Sequence, residues 1–313
     1  MLPTNAWPDA KIRFACRRPL FLPSVMNHPL ALPPRVVLTF DATDPTGGSG
    51  VQADLMTIAA IGCHGLSVVT AVTVQDSAGV FGVMPVDGEW VEDQARAVLE
   101  DMPVDAFKIG LVGSVENIVT IANVLADYPD VPVVLDPVHT SGRGEALVDD
   151  EMLAAMRELL VPHTSVVAAN SLELLRLAGC DASSTDPVAC AAQLLESGCE
   201  HVLLTGVHAN TVQVYNDLYN ASGRIQRLAW TRLPGRFHGA GGTLAASVAA
   251  CLAHGLALPD ASREAQEYTW RALAAGFRAG MGRLIPDRFF WARQAGASNA
   301  NDSEQEQDLS NDQ

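Results

Sequence analysis

Residues 35–62 read RVVLTFDATDPTGGSGVQADLMTIAAIG. RVVLTF is an apolar, β-branched run of strand length, and Asp41 to Gly50 is a glycine-rich junction. The segment after it is a helix whose apolar positions include Val51, Leu55 and Ile58. The alternation then continues down the chain. SVVTAVTV, DAFKIGLV, VPVVLD, TSVVAAN and HVLLTG read as short strands, separated by helical segments such as DEMLAAMRELL. This order implies an α/β class, with a mainly parallel central sheet and helices on both faces. The pattern changes at Thr211. TVQVYNDLY, a turn at Asn220 to Gly223 and RIQRLAWTRL predict an antiparallel hairpin, and HGAGGTLAASVAACLAHG is a glycine cluster running into a small-residue helix.

The 313 residues, 48% of them hydrophobic and 18% charged, suffice to bury a large core in one domain of roughly 260 residues. The formal charge of −16, with Arg17 and Arg18 the one basic cluster, argues against a nucleic-acid partner, because such affinity comes from Lys and Arg displacing counterions. The six cysteines form no CxxC pair and the eight histidines no HxxxH spacing, so a zinc site or disulfide framework is not expected. Apolar stretches break off before the ~18 residues that a membrane helix needs. Residues 1–34 hold several prolines in place of the uninterrupted apolar segment of a signal peptide. The expected organisation is a poorly ordered extension over 1–34, a domain over 35–295 and a disordered acidic tail over 296–313, in a cytoplasmic protein.

In open α/β sheets, ligands gather beyond the carboxyl ends of the strands. The junction Asp41 to Gly50 lacks the Gly-Lys-Ser/Thr of a Walker loop and the GxGxxG spacing, so its glycines serve either a close approach to a ligand or a plain turn. Thr73-Val74-Gln75-Asp76 ends a strand, where Gln75 can offer a donor and an acceptor to a heterocycle or simply form a turn. Lys11 and Lys108 are the only lysines. A lysine inside the apolar segment DAFKIGLV is either functional or a snorkelling side chain. Asp136, closing VPVVLD, and Asn170 to Glu173, closing TSVVAAN, suit either a shared Mg²⁺ or helix caps. His238 to Thr243 opens a helix whose free N–H groups and dipole favour a phosphate; the alternative is a glycine-eased helix start.

Together, DPTGGSGVQADL, TAVTVQDSAGV, FKIGLVGS, VVLDPV and the Asn-x-x-Glu at Asn170 to Glu173 resemble the ribokinase superfamily. Within it they resemble the hydroxymethylpyrimidine and phosphomethylpyrimidine kinases of thiamin synthesis, in the right order over about residues 35 to 293. The resemblance implies a ribokinase-like three-layer sandwich, ATP and Mg²⁺ as cofactors, a small-molecule pyrimidine acceptor and a homodimer. It implies that the pyrimidine lies by Ser49, with Gln75 at its amino edge and Thr73 and Val138 lining the pocket; Asp41, which departs from the family pattern, would add a carboxylate near the substrate. Glu173 and Asp136 would organise the metal, and Asn170, Thr205 and Thr243 would serve the nucleotide. Gly239, Ala240, Gly241 and Gly242 would form the anion hole, with Lys108 in the catalytic set.

Three positions depart from that pattern. The last anion-hole residue, usually cysteine, is Gly242. Asp41-Ala42 stands where Ala-Gly is common, and Thr205 stands where a lysine is usual. With no side-chain base at 242, the expectation is a slow kinase using Asp41, His238 or water as proton acceptor. The alternatives are a catalytically silent pyrimidine-binding protein and a related pyridoxal-type kinase.

Overall fold

The computed structural model describes residues 33–140, 144–180, 186–207 and 211–292. The expected extension over 1–34, save its last two residues, and the expected tail over 296–313 lie outside the described residues.

Strand β1 (Val36–Thr43) shows how the chain is layered. Its alternate side chains enter two separate cores, as the two-residue period of a strand requires. Leu38 and Phe40 join one core with Phe107, Ile109, Leu135 and Val167, whereas Val37 joins the other with Ala106, Val134, Val166 and Leu203. The first core is covered by α2 (Gly88–Asp101), α3 (Val115–Ala126), α4 (Asp150–Ala155), α5 (Ser171–Ala178) and α6 (Pro187–Glu196). The second is covered by α1 (Gly50–Ala60), α7 (Ala240–Ala253) and α8 (Leu258–Ala274). The result is the three-layer α/β sandwich expected from the strand pattern. Each fully buried leucine or phenylalanine adds about 1.5–3 kcal/mol of hydrophobic stabilisation at most.

The sheet has nine strands in the order β3-β2-β1-β4-β5-β6-β7-β8-β9. β2 (His64–Gln75), β1, β4 (Ala106–Ile109), β5 (Val133–Leu135), β6 (Val166–Asn170) and β7 (His201–Val207) run parallel. The predicted hairpin is present as β8 (Gln213–Asn220) and β9 (Gly223–Thr231), antiparallel beyond β7. β3 (Val80–Pro85) pairs antiparallel with β2 and was not foreseen. It is an edge strand whose Phe81 and Met84 face outward, so it shows no run of buried residues to read.

Helix caps differ in a way that bears on function. α2 to α6 each begin with an Asp, Ser or Asn side chain accepting a backbone N–H. α7 begins at Gly239 with no side-chain cap, so its first N–H groups are left to an outside partner.

Candidate active site

The carboxyl ends of β1, β2, β5 and β6 and the start of α7 enclose a cavity of about 530 Å³. Asp41, Ser49, Thr73, Gln75, Asp136, Val138, Asn170, Glu173 and Gly239 to Gly242 all line it. Lys108, Thr205 and Thr243 do not. Lys108 is fully buried beneath the cavity, so the snorkelling alternative fails. Thr205 pairs with Asn170 across β6 and β7. Thr243 is buried in α7, where its Oγ1 donates to Gly239 O at 2.8 Å and accepts from Arg288 Nη2 at 2.9 Å.

One end of the cavity is a closed polar network. Gln75 Nε2 lies 3.1 Å from His238 Nε2, which lies 2.7 Å from Asp44 Oδ2. Asp44 Oδ2 also accepts from Ser49 N and Ser49 Oγ, each at 2.8 Å. Thr73 Oγ1 donates to Thr43 O at 2.7 Å and lies 3.0 Å from the Gln75 amide. Burial works against the charge on Asp44, but the hydrogen bonds from His238, Thr46 and Ser49 outweigh it and hold its pKa down to about 2. This end is set before any ligand arrives.

At the other end, charge is left uncompensated. Asn170 Oδ1 accepts from Leu172 N and Glu173 N, and Glu173 Oε2 accepts from Asn170 N at 2.9 Å, so the helix-cap reading holds as a capping box. Glu173 keeps Oε1 outside the box while lining the cavity. Burial pushes the Glu173 carboxyl up, against the Asn170 bonds. Burial, with Glu173 and Asp41 nearby, pushes Asp136 up to about 7 against the pull of Lys108 at 4.0 Å. The uncapped amides of α7 face the same space, with a Cβ at Gly241 falling 3.7 Å from Asp136 Oδ1.

Below lies the Lys108 cluster. Its ammonium is 2.5 Å from Asp41 Oδ2 and 2.9 Å from Asp54 Oδ2. Burial opposes the charge, yet the three aspartates more than offset it and raise the lysine's pKa. Asp41 is saturated, since Oδ1 accepts from Ala42 N and Leu111 N while Oδ2 takes the ammonium.

Two residues that support the site carry no signal in the sequence. Asp54 sits in the apolar stretch of α1, where the eye counts Val51, Leu55 and Ile58. Arg288 follows the last helix with no motif around it. Its Nη2 donates to Gly48 O at 2.7 Å as well as to Thr243, tying the glycine junction to the start of α7. Those two segments meet so closely that a Cβ on Gly239, whose φ is +79°, would fall 1.9 Å from Gly48 O. Only glycine fits there.

The model of the phosphomethylpyrimidine kinase family matches residues 44–287. The chain belongs to that family. It is 41% identical over 261 residues to a hydroxymethylpyrimidine/phosphomethylpyrimidine kinase of Streptomyces coelicolor, covering 83% of this chain and 96% of that one. It is 37% identical to the protein of the same description from Rhizobium meliloti, over 79% of this chain and 94% of that one. Among solved structures, phosphomethylpyrimidine kinase from Clostridium difficile overlays with a TM-score of 0.66 at 30% identity, covering 76% of this chain and 99% of that one. A pyridoxal kinase of Bacillus subtilis in its ADP complex overlays at 0.74 and 27% identity, covering 82% and 97%. The ribokinase-like fold and the kinase class expected from the motifs are thereby borne out. Among the described residues no helix is long and apolar enough to cross a membrane.

Proposed function

We propose that the chain transfers the γ-phosphoryl group of ATP to the hydroxymethyl group of 4-amino-5-hydroxymethyl-2-methylpyrimidine, or to its monophosphate. The observation that carries this reading is the single cavity with two unlike ends: a preset donor–acceptor edge at Gln75, and uncapped helix amides beside two carboxylates. Gln75 would hydrogen-bond the aminopyrimidine edge while Thr73 and Val138 flank the ring. The amides of Ala240, Gly241 and Gly242 would hold the migrating phosphoryl group, where preorganised donors stabilise developing charge.

The donor set fits Mg²⁺, which takes one or two carboxylates together with waters and phosphate oxygens. Asp136 and Glu173 would hold it. Both have pKa values raised by burial, the mark of carboxylates short of positive charge. The metal's contribution is to neutralise phosphate charge. Thr243 supports this end from within α7 by anchoring Arg288, and Thr205 pairs with Asn170 beside it.

The reading includes a homodimer in the cytoplasm. Its supports are the exposed apolar side chains Val74, Phe81 and Met84 along β2 and β3, and the free thiols among the described cysteines. Sedimentation velocity reads the oligomeric state.

The overlay with pyridoxal kinases sets the decisive test. Hydroxymethylpyrimidine and pyridoxal are supplied together at equal concentration with ATP and Mg²⁺, and the phosphorylated products are resolved by mass spectrometry. The pyrimidine phosphate is expected to dominate. Dominant pyridoxal phosphate would replace the proposed acceptor.

A further inference from the structure

Transfer of a phosphoryl group to an alcohol needs a destination for the hydroxyl proton, and Gly242, in the first turn of α7 beside the cavity, has no side chain. A Cβ built on Gly242 would lie 3.6 Å from Asp136 Oδ2 and 3.8 Å from Asp54 Oδ1. The space over Gly242 is therefore walled by two carboxylates. Asp41, the other carboxylate of the cluster, is saturated by Ala42, Leu111 and Lys108. His238 donates Nε2–H to Asp44 Oδ2 at 2.7 Å, which leaves that nitrogen no lone pair for the hydroxyl proton.

Asp54 differs from Asp41 and His238 in having a free oxygen, and from Asp136 in not being assigned to the metal. Its Oδ2 accepts from Thr39 Oγ1 at 2.6 Å and from Lys108 at 2.9 Å. Its Oδ1 has no hydrogen-bond partner among the described residues, although the residue is fully buried. A buried carboxylate oxygen without a partner is costly, and a water in the space over Gly242 would supply the missing donor.

We propose that a water seated over Gly242 relays the acceptor's hydroxyl proton to Asp54 Oδ1. This rests on the kinase reading above. The acceptor oxygen forms its bond to the γ-phosphorus, and the bond from that phosphorus to the bridging oxygen breaks with its electron pair going to ADP. The hydroxyl proton passes to the water as the water gives one to Asp54, and that proton leaves to solvent after product release. Asp54 acts through the water and is a positioning residue. The charged groups around it are Lys108 from β4, Asp41 from β1, Asp136 from the end of β5 and Arg288 from the segment after α8. The proposal also accounts for glycine at 242: a side chain there takes the water's place.

Gly242→Ala provides the test, because the nearest atoms to the added Cβ stand at ordinary contact distance and alanine favours a helix. Steady-state kinetics with hydroxymethylpyrimidine, ATP and Mg²⁺ are compared for the native chain, Gly242→Ala, Asp54→Asn and the double variant. Each single variant is expected to lose roughly 10²-fold in kcat with both KM values within about threefold, and the double to be no slower than either single. Thermal melts check that each variant folds. A native kcat in Gly242→Ala, or losses that multiply in the double variant, would overturn the relay.

Gly242→Cys separates the relay from the reading beneath it, since a thiol at 242 supplies its own acceptor. In that background Asp54→Asn is expected to cost less than about threefold. An active Gly242→Cys beside an inactive native chain would overturn the relay and transfer by the native chain alike, and show the cavity to be a kinase site that lacks its proton acceptor; a fully active Gly242→Ala overturns the relay alone. Silence in every variant would overturn both.

Discussion

The two ends of the cavity are built from the same kinds of residue and behave in opposite ways. At the Gln75 end, Asp44 accepts hydrogen bonds from Thr46, Ser49 and His238, and its pKa is held down to about 2. At the α7 end, Asp136 is pushed up to about 7, with Lys108 no nearer than 4.0 Å. Burial acts on both carboxylates; what differs is how many donors meet each. A satisfied network keeps its shape without ligand and suits recognition of a fixed heterocycle. An undersatisfied one gains most when a cation and phosphates arrive.

The largest effect should come from removing the support common to the strand ends. Lys108→Met leaves Asp41 and Asp54 buried without their cation, and a thermal melt should show a loss of about 3–5 kcal/mol. A melt within 1 °C or so of native would mean that the cluster is already neutral. Next is Glu173→Gln, which keeps an oxygen for the capping box and removes the charge. It should lower kcat by roughly 10²-fold and raise the Mg²⁺ requirement. An unchanged Mg²⁺ dependence would strip that residue of its metal role.

Gln75→Ala attacks the other end and should raise the acceptor KM by roughly tenfold, with the ATP KM nearly unchanged, as expected for one lost hydrogen bond. If both KM values rose together, the cavity would not divide as described.

The smallest effect is a pH drift with opposite signs at the two ends. Asp44, lowered from 3.8 to about 2, contributes stability that is complete above 3.8 and lost as pH falls through 2. Asp54, pushed by burial from 3.8 up to about 7, contributes stability that is complete below 3.8 and lost as pH rises through 7. Asp136, also pushed up to about 7, acts in the same direction, so the ligand-free protein should lose about 1 kcal/mol for each of these two carboxylates between pH 6 and 8, and Asp54→Asn should remove roughly half of that slope in a melt series.

How legible each end was in the sequence follows the same division. The strand ends carrying Gln75, Asp136 and Asn170 could be found because short apolar runs stop abruptly at a polar residue, and the uncapped start of α7 because glycines cluster there. Asp54 could not, because one carboxylate within a helical apolar pattern looks like its solvent face; only folding shows α1 turned toward Lys108. Arg288 was hidden for a related reason. Its partners, Gly48 O and Thr243, lie far away in sequence, and nothing local marks an arginine that spans them. The edge strand β3 lacked a signal because its outward residues are apolar.

Phosphoryl transfer with glycine at 242 is open to one direct measurement. The measurement is ADP release from ATP and Mg²⁺ by the native protein, with and without hydroxymethylpyrimidine, alongside a thermal shift with the same pyrimidine. ADP that appears only with the pyrimidine, in step with its monophosphate, is the predicted result. A clear thermal shift without any ADP would contradict it and make the cavity a pyrimidine-binding site without chemistry.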